Sequence, residues 1–371
     1  SSLKILDISN FNMTKIAANE ESNVNIFFDA TSLRYLNLYN VVLGGFDFSE
    51  TELEELENLI VCKKNDSNPF KNGNSIIYQC CENGFDITTD KCRSENYILV
   101  SYASDFSSKT INFTVKNNEN QISAISTGNS IDSLTPVENI DSVEINPDSI
   151  LKIEFSQPLT TLAQFFMGMK EIKSIDFSHF ISTEVTDMSQ LFSGCNQTET
   201  ITFGDNFDTK KVTKLNDIFF GCSSLISINL SKFTTDLVTD MSRMFLYCSK
   251  LTEINLETFN TENVKSFEGM FGQCLSIKSL DLSSFNTGEV TNMNTMFAGC
   301  NSLTSINFGN NFNTEKVTSM DSMFMNCANL TSLDLSQFIT SLVNDIGSMF
   351  IGCSSLKILD ISNFNMTKIA A

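Results

Sequence analysis

The sequence predicts an α/β repeat solenoid, in which each repeat contributes one parallel strand and one short helix. Three observations predict it: a cysteine that returns every 26 or 27 residues, an apolar pattern of strand type, and an apolar pattern of helix type. A fixed period of this length is the signature of stacked repeats. The same frame extends backwards, with Met169, Cys62 and Ala30 at the closing position. The cysteines that close the repeats are Cys195, Cys222, Cys248, Cys274, Cys300, Cys327 and Cys353.

The strand pattern occupies the first half of each repeat and reads L-x-x-I-x-L-x-x-F or a close variant. In one repeat it places Ile277, Leu280 and Leu282 between polar residues, a spacing that is typical of a half-buried strand. One strand cannot bury its apolar face alone, so we expect it to stack on the strand of the next repeat. The phenylalanines that end the pattern form a predicted core column of Phe233, Phe259, Phe285, Phe312, Phe338 and Phe364.

The helix pattern follows and reads V-T-D-M-x-x-M-F or a close variant. Met293, Met296 and Phe297 fall at positions i, i+3 and i+4, which lie on one face of a helix. The sequence therefore predicts a short helix in each repeat, with a second core column of Phe192, Phe245, Phe271, Phe297, Phe324 and Phe350. The residues at the expected N-cap positions are Asp187, Asp240, Ser266, Ser319 and Asp345.

Residues 63–150 break the period and are predicted to form a β-rich insert between solenoid repeats at 1–62 and 151–371. Five segments have strand character: 96–103, 109–117, 120–127, 142–146 and 150–155. Cys62, Cys80, Cys81 and Cys92 make an even set that could close two disulfides, and their pairing stays open. For the closing cysteines of the repeats, buried free thiols are favoured over a disulfide ladder, since unpaired cysteine is among the most buried residue types.

The pattern L-T-S-I-N-L-x-x-F-N-T-x-x-V-T-x-M-x-x-M-F-x-x-C resembles the BspA-type leucine-rich repeat. The resemblance covers residues 163–371 and, more loosely, 1–62. It implies a leucine-rich-repeat fold and a secreted or surface-attached protein that is used for adhesion or contact. We therefore expect an extracellular or cell-surface location. The motif is specific for a repeat class and names no single task, because fold alone does not give function.

The sequence also has a second, longer period, since Ser354–Ala371 is identical to Ser1–Ala18. Neighbouring 26-residue repeats share a pattern but not a sequence, so the two identical segments are expected to be the same repeat in successive copies of a 353-residue unit. The predicted partner of the chain is then a further copy of itself, joined head to tail by continued stacking. If separate chains docked in this way, residues 354–371 of one chain and residues 1–18 of the next would compete for one position in the stack. A covalent array avoids this surplus copy.

Composition and motifs argue against several functions. The net charge of −20 makes nucleic acid an unfavourable partner, because phosphate binding needs clustered basic residues. No apolar run is long enough to cross a membrane. The single histidine, His179, has no catalytic motif around it, and no phosphate-binding loop or zinc spacing occurs. We expect no enzyme and no cofactor, with N-linked glycans and calcium left open.

Two sets of surface positions remain candidates. A column along the strands could contact calcium or a sugar, and is better explained as a solvated face with hydrogen bonds between repeats; its members are Asp176, Asn229, Asn255, Asp281, Asn307, Asp334 and Asp360. The N-glycosylation sequons lie at Asn12, Asn65, Asn112, Asn196, Asn229, Asn329 and Asn365. Asn12 and Asn365 are the same site in successive units and are the first choices.

Two functions follow as hypotheses. The first is a structural protein, in which tandem 353-residue units form a head-to-tail, glycosylated extracellular or cell-surface filament. The alternative is an adhesin or receptor ectodomain, which would bind a host protein or a glycan through the strand face of the solenoid or through the insert. The number of successive units discriminates between them, because a filament needs many identical units and an adhesin needs only a few repeats.

Overall fold

The computed structural model divides the chain into two compact units, Ser1–Glu95 and Asn96–Ala371. In the first unit it describes six short strands, and in the second it describes residues 96–112, 122–139, 142–155, 158–365 and 367. The described residues are mostly short strands and turns, with one 3₁₀-helix at Ile131–Ser133. Among them, no helix has the length and apolar character that a membrane crossing requires.

The first unit contains a four-stranded parallel sheet. Its strands are β1 (Ile5–Asp7), β2 (Tyr35–Asn37), β3 (Ile60–Cys62) and β4 (Ile77–Tyr78), and they pair in chain order. Parallel pairing of consecutive strands is the arrangement that repeats of one strand each produce when they stack. A separate antiparallel pair follows, formed by β5 (Phe85–Asp86) and β6 (Lys91–Cys92).

The second unit begins with a mixed sheet of six strands, in the order β10-β9-β12-β7-β13-β14. Alternating apolar side chains put Ile98, Val100 and Tyr102 of β7 into the core. Two further strands, β8 and β11, pair apart from this sheet. The bounds are β7 (Tyr97–Tyr102), β8 (Lys109–Asn112), β9 (Ile122–Gly128), β10 (Thr135–Pro136), β11 (Ser142–Ile145), β12 (Ile150–Phe155), β13 (Ile172–Phe177) and β14 (Thr200–Phe203).

Each of the five segments with strand character overlaps one of these strands, and β9 extends one residue beyond its predicted segment. β7 pairs antiparallel with β13, which is a strand of the repeat region. The later part of the predicted insert and the first repeats therefore share one sheet. The predicted boundary between residues 150 and 151 falls inside β12.

The repeats that follow are joined on two sides. On the strand side, β15 (Ser279–Asp281) pairs in parallel with β16 (Ser305–Asn307), and β17 (Ser332–Asp334) with β18 (Ile358–Asp360). Residues 226–230 and 252–256 are fully described and form no strand, although their sequence predicts one. On the opposite side a parallel ladder continues without a break through Thr161, Asp187, Lys214, Asp240, Ser266, Asn292, Ser319 and Asp345. We call the residues from each of these positions to the closing position the turn segment of a repeat.

In the eight described turn segments the prediction of a helix is wrong, because each of them is a chain of tight turns. In the segment 187–195, Gln190 has φ 58° and Gly194 has φ 77°. A right-handed helix cannot include such residues. The apolar spacing i, i+3, i+4 nevertheless identified the buried side chains, since Met293, Met296 and Phe297 are fully buried.

The core runs along the stack between the two sides. Eight phenylalanine rings from successive turn segments, Phe166 to Phe350, stack with centroids 5.4–6.1 Å apart and planes within 15° of parallel. The other predicted column is also buried from Phe233 to Phe338, with Phe364 partly buried. Stacked rings hold each repeat at one distance from the next, since aromatic pairs prefer centroid separations of about 4.5–7 Å.

Replacement of Gly168 by alanine distinguishes turns from a helix by the sign of its effect. Gly168 has φ +74°, and a Cβ atom added there would meet nothing within 4 Å. Gly168→Ala should therefore lower the free energy of unfolding by about 1 kcal/mol through backbone strain alone. In a helix the same change would raise it by about 1 kcal/mol. Urea unfolding measures the difference, with Gly288→Ala, which has no positive φ, as the control that should be nearly neutral.

Candidate functional site

The backbone hydrogen bonds between the turn segments of neighbouring repeats follow one rule; we call this side of the repeats the turn side. In the segment 187–195, the amides of Gln190, Phe192 and Gly194 donate to carbonyl oxygens of the next repeat at 3.0, 2.9 and 2.7 Å. The amides between them donate back to their own repeat, as Ser193 does to Gln190 at 3.1 Å. Alternate amides therefore bind forwards and backwards. Among the described residues, four forward bonds of 2.6–3.3 Å cross each junction from the segment that begins at Thr161 to the one that begins at Asp345.

Two left-handed positions in each turn segment make this alternation possible. The first carries mostly side chains: Gln164, Gln190, Asp217, Arg243, Gly269, Thr295, Ser322 and Ser348. The second carries mostly glycine: Gly168, Gly194, Gly221, Tyr247, Gln273, Gly299, Asn326 and Gly352. A positive φ costs a non-glycine residue roughly 1–2 kcal/mol. The chain accepts this cost because the turned amides would otherwise lack partners in a buried ladder.

A buried column of hydroxyl groups forms a second set of contacts between repeats. Thr261 donates through Oγ1 to the carbonyl oxygen of Asn286 at 2.8 Å and accepts from the amide of the same residue at 2.9 Å. Each member joins its repeat to the next in this way: Ser182, Thr209, Thr235, Thr261, Thr287, Thr314 and Thr340. Sequence reasoning missed these residues. Their signal is a threonine that recurs in frame two residues after the core phenylalanine.

A bidentate ion pair also joins two turn segments. Arg243 donates through Nε and Nη2 to the carboxylate of Asp217 at 2.7 and 2.9 Å, and the Asp217 side chain is only 6% exposed. Glu268 lies 3.5 Å from the same guanidinium. The hydrogen bond to Asp217 raises the pKa of Arg243. A bidentate pair of this kind fixes the spacing of the two repeats that hold it.

The predicted polar column shapes the ends of strands. Asp281 accepts through Oδ1 from the amide of Ser283 at 2.9 Å, and Asn307 donates to the same oxygen at 3.0 Å from the next repeat. Hydrogen bonds from Ser283, and then from Asn307, lower the pKa of Asp281. The other members make the same turn two residues ahead. The described residues contain no group of three or more metal-ligating side chains arranged for an ion.

Most of the expected N-cap residues make an equivalent bond. Asp187, Asp240 and Asp345 accept from the amide two residues ahead through Oδ1 at 2.9 Å, and Ser266 accepts through its hydroxyl at 3.2 Å. They therefore begin a turn where the sequence predicted that they would begin a helix. The chemistry of the cap and its position agree with the sequence, although the element that follows does not.

The cysteines that close the repeats are free thiols, six of them buried and Cys353 half-buried. Each Sγ donates to a phenylalanine carbonyl oxygen of the preceding repeat, as Cys248 does to Phe219 at 3.1 Å. Burial raises the pKa of six of these thiols, to about 12 for Cys327; the other five are Cys222, Cys248, Cys274, Cys300 and Cys353. Such thiols are poor nucleophiles and poor metal ligands, because the thiolate is the reactive form.

The remaining predicted positions divide between the described and the undescribed parts. Asn196, Asn229, Asn329 and Asn365 are exposed, and Asn112 lies at the end of β8. Asn12, Asn65, Cys80 and Cys81 lie outside the described residues, while Cys62 and Cys92 end β3 and β6. The His179 ring stacks on Tyr97 with centroids 4.5 Å apart. The pairing of the four cysteines stays a prediction.

Comparisons with known proteins give a family and little more. A family model described as "Mycoplasma protein of unknown function, DUF285" matches residues 160–279, 224–309 and 269–371, which together exceed half of the chain. No curated protein matches. A solved structure, the crystal structure of a TLR13–ssRNA13 complex, is 15% identical over 98% of this chain and 44% of that chain, with a TM-score of 0.26. A score this low carries no argument about fold or function. The chain spans less than half of the length of that protein chain.

Removal of one hydroxyl from the buried column should weaken the junction between two repeats. Thr261→Val keeps the shape of the side chain and leaves the amide and carbonyl of Asn286 without partners. We expect a loss of about 2–4 kcal/mol of unfolding free energy in urea. Thr261→Ser keeps both bonds and should cost less than about 1 kcal/mol. Exposed Thr304, whose hydroxyl donates to Lys278, gives the matched control Thr304→Val, where water can replace the lost partner. Equal losses for the valine and serine variants of Thr261 would contradict the assignment.

Proposed function

We propose a structural function for this chain, which belongs to the Mycoplasma DUF285 family of proteins of unknown function. The chain is the repeating unit of an extracellular or cell-surface filament, in which 353-residue units follow one another head to tail. Each unit is a solenoid of BspA-type leucine-rich repeats that carries a β-rich insert. The filament has no catalytic role and takes no cofactor. Its acidic surface disfavours nucleic acid as a partner and limits lateral association.

One observation carries the proposal. The three residues Ile5–Asp7 form β1, and their exact copies Ile358–Asp360 form β18. β1 pairs in parallel with the strand that follows it, β2, whereas β18 pairs in parallel with the strand that precedes it, β17. The same tripeptide thus has a neighbour on each edge when both copies are considered. A tandem array would use both edges of this strand at every junction.

The contacts between repeats support extension as a mechanism. Among the described residues, each turn segment between the first and the last donates four amides forwards and accepts four bonds from behind, with the same register at every junction. Such an interface places no limit on the number of repeats, and open head-to-tail assemblies form filaments. Ten closing positions occur in one unit. Since stacked strands lie about 4.8 Å apart, ten repeats would advance the filament by roughly 50 Å.

Glycans would decorate such a filament once or more per unit. Asn365 and its copy Asn12 are the favoured sites, because one member of the pair is exposed and the site would recur at every junction. The side-chain oxygen of Asn365 accepts from the amide and the hydroxyl of Thr367 at 3.0 and 2.7 Å. The exposed Asn196 and Asn329 are the next choices.

The alternative, an adhesin or receptor ectodomain, is favoured by the interruption on the strand side. A cavity of about 410 Å³ opens there between two repeats, lined by residues that include Asn229, Glu253 and Asn255. Small-molecule sites have volumes of roughly 300–1,000 Å³. A protein or glycan partner could use this face without any filament.

A denaturing, reducing gel of native material tests the array, run before and after removal of N-linked glycans. The proposal predicts a covalent species whose mass is several times that of one 353-residue unit. After deglycosylation its mass should still be several times that of one unit. A mass close to a single unit would contradict the covalent array and favour the adhesin. Reduction during the assay ensures that disulfides between chains cannot mimic a long chain.

A further inference from the structure

We propose that a groove on the turn side binds a neutral oligosaccharide. The groove lies across four successive repeats, is lined by residues of their turn segments and the residues that follow them, and has a volume of about 420 Å³. Its floor includes Gly194 and Gly221, and its walls include Phe220 and Tyr247. The proposal goes beyond the structural function and does not depend on it, since a single chain carries the whole groove.

The groove exists because of a change in one column. At the second left-handed position, three consecutive repeats have Gly168, Gly194 and Gly221, and the next has Tyr247. A Cβ atom at Gly221 would meet only the backbone of Gly194, at 3.7 Å. This column therefore carries no side chain for three repeats, and the fourth repeat adds an aromatic ring. The same position carries Gln273 in the following repeat, which ends the groove.

Tyr247 is the residue that most needs an explanation. It has φ 65° and its side chain is 50% exposed. A bulky residue in the left-handed region is an outlier whose strain the surrounding structure must offset. Glycine holds the equivalent position in most repeats and makes the same forward hydrogen bond. The stack therefore does not require a tyrosine here, and strained exposed residues are concentrated at ligand sites.

The Tyr247 ring is held in place before any ligand arrives. It packs edge to face on Phe220, with centroids 5.6 Å apart and planes at 79°. An aromatic contact of this geometry is favourable beyond the apolar area that it buries. One face of the tyrosine is fixed by its neighbour, and half of the side chain stays in solvent. A fixed ring binds a flat partner with little loss of conformational entropy.

The chemistry of the lining selects the ligand. The described residues that line the groove include no charged side chain, although the chain carries a net charge of −20. The lining pairs aromatic and aliphatic surface with the amides of Asn196 and Gln273 and with serine hydroxyls. A sugar ring has an apolar C–H face and a rim of hydroxyl groups, which match an aromatic ring flanked by amides. Four repeats at about 4.8 Å extend over roughly 14 Å, so the groove suits a short chain of sugars better than one ring.

Saturation-transfer NMR with chitohexaose and cellohexaose as probes tests the proposal. The full chain is produced in a bacterial host, so that Asn196 carries no glycan. We expect saturable binding of at least one probe, with transfer from the Tyr247 ring to sugar C–H protons. Tyr247→Gly should weaken binding at least tenfold. It should not unfold the chain, because glycine relieves the positive φ and a thermal melt should show an equal or higher Tm.

Two further variants separate the groove from the fold. Asn326→Gly changes the same column outside the groove and should leave the affinity within about twofold. Gly221→Asn fills the floor of the groove while Tyr247 stays in place, and asparagine tolerates a positive φ; this variant should also abolish binding.

The proposal is overturned if the unaltered chain and its Tyr247→Gly variant bind a probe equally well. It is also overturned if neither probe shows saturable binding at concentrations up to roughly 10 mM. Binding of an apolar peptide without binding of either probe would overturn it as well.

Discussion

The forward hydrogen bonds between turn segments are the interaction on which the rest of the repeat region depends. They fix the separation of the repeats, because a carbonyl oxygen must lie within about 3 Å of each donating amide. The phenylalanine column then stacks at a nearly constant distance, and the hydroxyl of Thr261 reaches both backbone groups of Asn286. Repeats of 26 and of 27 residues keep the same four bonds, because the turn segments have one length and the extra residue lies outside them.

This constraint divides each repeat into fixed and free positions. The core phenylalanines, the threonines of the hydroxyl column and the closing cysteines all make buried contacts that a substitution would disrupt. The second left-handed position is different, because the backbone makes the bond and the side chain points outwards. Glycine is the least strained choice there, and Tyr247 departs from it. Regular stacking is thus the basis of the proposed filament, and a departure from regularity at a free position is the basis of the proposed groove.

The sequence predicted the features that follow from period and hydropathy. It predicted the closing cysteines, the buried Met293 and Phe297, and the strands β7, β8, β9, β11 and β12. It failed on the helix because the spacing i, i+3, i+4 also buries alternate residues of consecutive tight turns. It missed the threonine column because a threonine between polar residues looks solvated in a single repeat. Only the stacking of repeats buries Thr261, and no local pattern contains its partner Asn286.

The direction of one backbone hydrogen bond tests the account most directly. Scalar couplings across hydrogen bonds, measured by NMR on deuterated protein, identify the acceptor of a given amide. The account predicts a coupling from the amide of Gly194 to the carbonyl of Phe220, 26 residues ahead and 2.7 Å away. It also predicts that Cys195 couples to Phe192 within its own repeat. A coupling from Gly194 to Gln190, four residues behind, would indicate a helix and would contradict the account of how the repeats are joined.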